Sequence, residues 1–115
     1  MIRPWGWYQV LADEPDYKVK LLFVMPHKRL SLQSHEKRSE HWFVVSGKAD
    51  IQKNEWTSIL NKGGSVDIPA GYKHRIGNST NDLLVICEIQ TGTYFGEDDI
   101  IRYEDDFNRV ADNVS

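Results

Sequence analysis

Short strand-like segments follow one another along almost the whole chain, and this pattern limits the folds open to it. Each segment is rich in β-branched, aromatic or other apolar side chains and is bounded by glycine, proline, asparagine or aspartate. No helical periodicity of about 11 residues lies between the segments. The pattern predicts an all-β protein, an antiparallel sandwich or barrel of jelly-roll type. The predicted strands are residues 7–11, 17–25, 30–33, 41–46, 48–53, 56–60, 66–68, 74–77 and 83–90.

The length of 115 residues suits a single domain with one modest core. Two of the predicted strands, residues 17–25 and 41–46, become apolar on both faces, as strands buried on both sides do. Residues 98–110 are expected to hold a last strand or one helical turn. Residues 111–115 are expected to fray.

Charge and cysteine content exclude several classes of protein. The net charge of -3 does not indicate a nucleic-acid-binding protein, and no apolar run approaches the ~20 residues that cross a bilayer. The single cysteine, Cys87, cannot form an internal disulfide, which predicts a reducing cytoplasm. Acidic residues concentrate between 97 and 112, so the rest of the chain is slightly basic, which suits a small anionic ligand.

Polar residues concentrate in two places, residues 29–41 and residues 69–74. Alternate residues of a strand share a face, so Arg29, Gln33 and His35 are predicted to point to one side. A solvated strand face is the simplest interpretation of that side.

Glu40 weakens the interpretation of a solvated face. Because residues two apart in a strand point to the same side, Glu40 is predicted to point to the same side as Trp42 and Val44, in the run that is apolar on both faces. A carboxylate at the mouth of a buried strand needs a partner, and a metal ion is one such partner.

A possible ligand set for that ion consists of Gln33, His35, Glu40 and His74, which offer two oxygens and two nitrogens. The set suits Zn²⁺, and also Mn²⁺, Fe²⁺ or Co²⁺, with coordination positions left for substrate. Histidine and glutamine at two-residue spacing are also common by chance, so the spacing alone leaves both interpretations open.

The two polar segments resemble the two motifs of the cupin family. The first motif, G-x5-H-x-H-x4-E-x6-G, has Gln33 at its first histidine and His27 at its opening glycine. The second, G-x5-P-x-G-x2-H-x3-N, matches throughout. The positions that carry the resemblance are Gln33, His35, Glu40, Gly47, Gly63, Pro69, Gly71, His74 and Asn78.

Four further segments are similar to the cupin domain of type II phosphomannose isomerases. They are RPWG (3–6), KRLSLQ (28–33), RSEHW (38–42) and GEDDI (96–100). The resemblance implies that residues 1–115 form one double-stranded β-helix that interconverts mannose 6-phosphate and fructose 6-phosphate. It also implies one divalent ion, with Zn²⁺ favoured, on the ligand set above. In that family a mannose-1-phosphate guanylyltransferase domain usually precedes the cupin; this chain has no room for one, so guanylyl transfer is not expected.

An aldose–ketose isomerase must also move a proton and hold the phosphate. Glu88 and Lys20 are the candidate catalytic residues, because each is predicted to point inward from a largely apolar strand. A structural acid and a surface lysine are the respective alternatives. Arg29, Arg38 and Arg109 are the candidates for binding phosphate; for each, a solvated surface arginine is the alternative.

Three positions depart from the family pattern, namely His27, Lys37 and Asn108. Of these, His27 puts its turn in doubt, because a glycine there usually serves a positive φ. His41 has the opposite parity to Glu40 and is predicted to be a core or interface histidine. Trp42 is predicted to pack in the core, and Cys87 to be a buried, inert thiol.

Two other functions remain compatible with these residues. One is a sugar-phosphate-binding or regulatory cupin without activity. The other is a different cupin enzyme, such as a nucleotide-sugar epimerase or an oxygenase, although Gln33 argues against the histidine-rich oxygenases. A homodimer is expected in each case, because apolar strands in so small a chain leave edges to cover.

Overall fold

Two antiparallel sheets pack against each other in the computed structural model, which describes residues 1–107. The larger sheet has the strand order β1-β2-β3-β10-β5-β8, and the smaller has the order β11-β4-β9-β6-β7. This arrangement confirms the all-β prediction and the jelly-roll architecture of a double-stranded β-helix. The strands of the described residues are β1 (Ile2–Arg3), β2 (Gly6–Asp13), β3 (Tyr17–Val24), β4 (Leu32–Ser34), β5 (Arg38–Ser46), β6 (Ala49–Lys53), β7 (Trp56–Leu60), β8 (Ser65–Ile68), β9 (His74–Gly77), β10 (Leu84–Gly92) and β11 (Ile101–Glu104).

The inward face of the larger sheet changes from apolar to polar along three neighbouring strands. At one end, Ile86 on β10 lies opposite Leu22 on β3 and Val44 on β5, and these side chains are buried in the core. One step along, Glu88 lies opposite Lys20 and Trp42. The interior therefore holds a hydrophobic core at one end of the barrel and a cluster of buried polar side chains at the other.

The outer face of the larger sheet is not buried. Phe43 is 42% exposed and Ile89 is 38% exposed, whereas the inward-facing residues beside them are buried. The prediction that these strands are buried on both faces is therefore wrong for the outer side. Apolar side chains on a strand show that the face is suited to burial. They do not show that another part of the same chain buries it.

Strand boundaries differ from prediction where polar residues point inward. The strand predicted at residues 41–46 begins three residues earlier, at Arg38. The strand predicted at 30–33 is β4, which begins at Leu32. The described part of the segment predicted at 98–110 holds a strand, β11, which pairs with β4. Residues 108–115, with Asn108, Arg109 and the tail predicted to fray, lie outside the described residues.

The turn at His27 keeps the geometry that a glycine would serve. His27 has a φ of 59°, and its Nε2 lies 2.6 Å from Oδ1 of Asn81. A left-handed conformation costs a residue with a side chain about 1–2 kcal/mol. The turn is therefore formed despite the substitution.

Within residues 1–107 there is no helix with the length and apolar character needed to span a membrane.

Two isoleucines of the smaller sheet test how stability is distributed. Ile51 on β6 is 2% exposed and belongs to the core, whereas Ile59 on the neighbouring β7 is 59% exposed. We expect Ile51→Ala to lower the free energy of unfolding by about 2–5 kcal/mol, because it leaves a cavity, and Ile59→Ala to lower it by less than about 1 kcal/mol. Urea unfolding of both variants measures the difference, and equal losses would contradict this location of the core.

Candidate metal centre

Three buried side chains converge at the polar end of the barrel interior. His35 follows β4, Glu40 lies on β5, and His74 begins β9. One potential ligand atom from each residue lies within 4.8 Å of the other two. Strands from both sheets thus bring together residues that are far apart in the sequence.

Backbone carbonyls fix the tautomers of both histidines. Nδ1 of His35 donates to the carbonyl oxygen of Asp99 at 2.5 Å, and Nδ1 of His74 donates to that of Tyr72 at 3.0 Å. The proton is therefore on Nδ1 in each neutral ring, and the Nε2 lone pair is available. These Nε2 atoms lie 3.4 Å and 3.7 Å from the two carboxylate oxygens of Glu40.

The protonation states of the cluster favour a bound cation. Burial lowers the pKa of His35 to about 4 and also lowers the pKa of His74, so both rings are neutral at neutral pH. Burial opposes ionisation of Glu40, but His74, Arg38 and His35 outweigh it and hold the pKa of its carboxyl well below its usual range. The cluster therefore presents two neutral nitrogens and one negative carboxylate.

Gln33 lies beside this cluster. It is directly opposite His74 in the pairing of β4 with β9, and both line the same cleft. Its amide nitrogen donates to Oγ of Ser31 at 3.0 Å, which leaves the amide oxygen as the group able to bind a cation. The structure thus brings His35, Glu40 and His74 together and places Gln33 beside them on the neighbouring strand.

This donor set fits a divalent ion. Two imidazole nitrogens, a carboxylate and an amide oxygen suit Zn²⁺ and the related transition metals, and the hydrogen bonds to Asp99 and Tyr72 orient the rings as metal sites require.

Arg38 is the cation that now contacts the cluster. Its Nε donates to Oε2 of Glu40 and its Nη2 donates to Nε2 of His35, both at 3.0 Å. A metal ion would compete with the guanidinium for these two atoms. Among the described residues, Nη1 of Arg38 is buried without a hydrogen-bond partner, so this arginine retains a donor for an anion.

A second carboxyl group lies next to the cluster. The indole Nε1 of Trp42 donates to Glu40 at 2.9 Å and to Glu88 at 3.2 Å, and Gln90 donates to the other oxygen of Glu88 at 2.6 Å. Burial, together with the nearby negative charge of Glu40, raises the pKa of Glu88 to about 8. Trp42 packs in the core as predicted, and it also bridges the two acids, which strand parity could not predict.

A cleft of about 600 Å³, counting its open mouth, connects these groups to further cations. Lys20 is buried; its Nζ donates to Glu97 at 2.9 Å and lies 4.3 Å from the ring centroid of Tyr8. Burial opposes ionisation of Glu97, but Lys20 outweighs it and lowers the pKa of this carboxyl. Arg3 lies over the same tyrosine ring and also lines the cleft.

Arg3 and Glu97 were not predicted as site residues. Both lie in segments that resemble the isomerase family, RPWG and GEDDI, and this was the signal that could have identified them. Both also lie outside the predicted strands, where parity gives no direction for a side chain.

Arg29 is not brought to the cleft. Its Nε and Nη2 donate to the carboxylate of Asp106 at 2.8 Å and 2.9 Å, and it lines a separate groove on the outside of the smaller sheet. The prediction that it shares a face with Gln33 is wrong, because regular strand geometry begins only at Leu32. Arg109 is outside the described residues.

Other predicted positions agree with their parity. Arg75 donates to the Leu30 carbonyl and to Glu104 rather than to the cluster, although its side chain also lines the cleft. His41 is on the outer face, where its Nδ1 lies 2.5 Å from Asp67. Cys87, predicted to be buried, is only partly buried and lies on the same face.

Comparison with known proteins finds similarity along nearly the whole chain. The family model described as "Mannose-6-phosphate isomerase C-terminal" matches residues 1–105. A mannose-1-phosphate guanylyltransferase of Sinorhizobium fredii is 46% identical over 92% of this chain and 21% of its own length. The alginate biosynthesis protein AlgA of Pseudomonas aeruginosa is 44% identical over 96% of this chain and 23% of its own length. The chain thus spans between a fifth and a quarter of these relatives.

Solved structures support the architecture. The cupin domain of Cnp3 from Schizosaccharomyces pombe superimposes with a TM-score of 0.71, covering 74% of this chain and 63% of that one. Its sequence identity of 15% means that it shows the fold alone.

Metal binding tests the cluster directly. We expect Glu40→Gln and His74→Ala to weaken binding of Zn²⁺ by at least about 100-fold, because each removes a ligand atom. Loss of a residue that only hydrogen-bonds to a ligand already lowers metal affinity by about 10–100-fold. Glu36→Gln, which alters an exposed acid in the turn before Glu40, is the matched control and should bind as the parent chain does.

Competition titrations against a chelator, with elemental analysis of the dialysed protein, measure these affinities. Circular dichroism checks that each variant is folded. Unchanged zinc affinity in both Glu40→Gln and His74→Ala would place any metal site elsewhere.

Proposed function

The chain belongs to the family of mannose-6-phosphate isomerase C-terminal domains, and on that premise we propose that it interconverts mannose 6-phosphate and fructose 6-phosphate. The observation that carries the proposal is the placement of Glu88. This buried carboxyl group accepts a hydrogen bond from the indole of Trp42, which also donates to Glu40 of the candidate metal centre. An acid–base group next to a cation site, in a cleft lined by further cations, is what this isomerisation requires.

The metal ion would be held by Gln33, His35, Glu40 and His74, with Zn²⁺ favoured and Mn²⁺, Fe²⁺ or Co²⁺ compatible. When bound, a divalent ion supplies Lewis-acid polarisation of the sugar oxygens and compensation of developing negative charge. The chain's own part is to orient both histidine rings through the carbonyls of Asp99 and Tyr72 and to hold Glu40 ionised.

Proton transfer between C1 and C2 is assigned to Glu88. Its carboxyl faces the cleft and is fixed on both oxygens, by Trp42 and by Gln90. Lys20, the other candidate, lies opposite Glu88 in the pairing of β3 with β10, but its Nζ is held by Glu97 at 2.9 Å. Glu88 therefore moves the proton, and Lys20 binds substrate.

The phosphate is assigned to the cations of the cleft. Arg38, Lys20 and Arg3 all line it, and Nη1 of Arg38 is a buried donor without a partner among the described residues. Cationic side chains with directional N–H groups are the usual ligands of phosphate. A phosphate bound by Lys20 would replace the carboxylate of Glu97 as the partner of its ammonium group.

Isomerase activity is tested with the purified chain loaded with Zn²⁺, Mn²⁺ or Co²⁺. We expect fructose 6-phosphate to form from mannose 6-phosphate, while mannose without phosphate reacts poorly because it cannot engage the cations. Glu88→Gln should lower kcat by about 100- to 10,000-fold, the usual contribution of a general acid or base, with metal content retained.

Glu55→Gln, which changes an exposed acid in the turn between β6 and β7, is the control and should keep the parental kcat. Absence of turnover with every metal, from folded and metal-loaded protein, would contradict the proposed function. Full activity in Glu88→Gln would contradict the assignment of the proton transfer alone.

A further inference from the structure

The outer face of the larger sheet is an apolar surface formed by four neighbouring strands, β2, β3, β10 and β5. We call it the outer sheet face. Its apolar members alternate with the inward residues of the same strands, and all are half-buried or exposed. They are Trp7, Val19, Leu21, Phe23, Phe43, Val45, Val85, Cys87 and Ile89.

The strand register makes this surface continuous. Trp7 lies opposite Phe23, and their rings are stacked with centroids 4.9 Å apart. In the next row, Cys87 lies opposite Leu21 on one side and Phe43 on the other. Side chains directly opposite each other on antiparallel strands are in contact, so the rows form one patch.

Charge on the outer sheet face is confined to its edge, where His41, beside Ile89, contacts the carboxylate of Asp67 on the adjoining β8. The outward residues of β3, β10 and β5, and those of β2 from Trp7 to Ala12, include no lysine, arginine, aspartate or glutamate. The outer side of the smaller sheet differs, because Asp50 and the exposed ion pair of Arg29 with Asp106 lie on it. Solvent-exposed sheet faces normally carry polar side chains, so this one has the character of a buried interface.

A second copy of the same chain matches this surface in charge. A two-fold interface brings a patch against itself, which is repulsive for a charged patch and neutral for an uncharged one. The acids of β11 and its neighbouring segments belong to the smaller sheet and would not be brought together. Self-association is therefore electrostatically permitted here in a chain whose net charge is -3.

The size of the surface is also adequate. Four strands about 4.8 Å apart, each about eight residues long at ~3.3 Å per residue, give roughly 500 Å² of flat area. Side chains that project from a pleated sheet expose more area than the flat projection. The total approaches the ~800 Å² that each partner buries in a typical specific interface.

We propose that two copies of this chain form a symmetric dimer by packing their outer sheet faces against each other. Sheets stacked in this way lie about 10 Å apart with their side chains interdigitated. Phe43 and Trp7 supply the aromatic contacts, and Cys87 lies in the middle of the interface. The proposal is independent of the isomerase activity, because the cleft opens on the interior of the barrel.

Sedimentation velocity of the full chain over a wide concentration range tests the dimer. We expect a species of twice the 13.3 kDa chain mass. Phe43→Asp should weaken the association by at least about 30-fold, because it places two carboxylates in an apolar interface. Ile59→Asp introduces the same charge at an exposed isoleucine on the outside of the smaller sheet and should leave the dimer intact.

The reaction of Cys87 with a thiol reagent is a second measurement. The thiol should react slowly in the parent chain and in Ile59→Asp, and faster on dilution or in Phe43→Asp. A chain that stays monomeric at high concentration overturns the proposal and leaves the outer sheet face to a different partner. A dimer that Phe43→Asp weakens no more than Ile59→Asp does also overturns it, because the interface is then elsewhere.

Discussion

The buried carboxylate of Glu40 is the constraint on which the polar half of this barrel depends. A carboxylate removed from water is stable only where cations or several hydrogen bonds compensate for its lost hydration. Arg38 and Trp42 supply such partners, and two histidines with fixed tautomers complete the surroundings. A residue set that costs so much to bury, at the end of an otherwise apolar core, is best explained by the cation chemistry that it can support.

The central strands were predictable because they carry core residues at every second position. Leu22, Ile86 and Val44 show the pattern on the three central strands. The beginning of β4 was not predictable from this pattern, and the wrong prediction that Arg29 shares a face with Gln33 followed from it. Parity assigns a direction only inside a regular strand, and the chain between Arg29 and Leu32 is not one.

The cluster was predictable from the resemblance to the two cupin motifs, but the contacts around it were not. Trp42 bridges Glu40 to Glu88, which lies 46 positions further along the chain, and such a contact depends on the pairing of distant strands. Arg38 was predicted to bind phosphate, yet its guanidinium lies on the cluster itself. The apolar outer face shows the same limit: sequence reveals that a surface can be covered, and the three-dimensional structure reveals whether its own chain covers it.

An anomalous-scattering map of zinc-loaded crystals tests most directly the claim that the four ligands hold one ion. The account predicts a single peak about 2.0–2.2 Å from Nε2 of His35, Nε2 of His74, a carboxylate oxygen of Glu40 and the amide oxygen of Gln33, with the guanidinium of Arg38 withdrawn from His35. A map without a peak at this cluster, in which Arg38 keeps both of its hydrogen bonds, would contradict it.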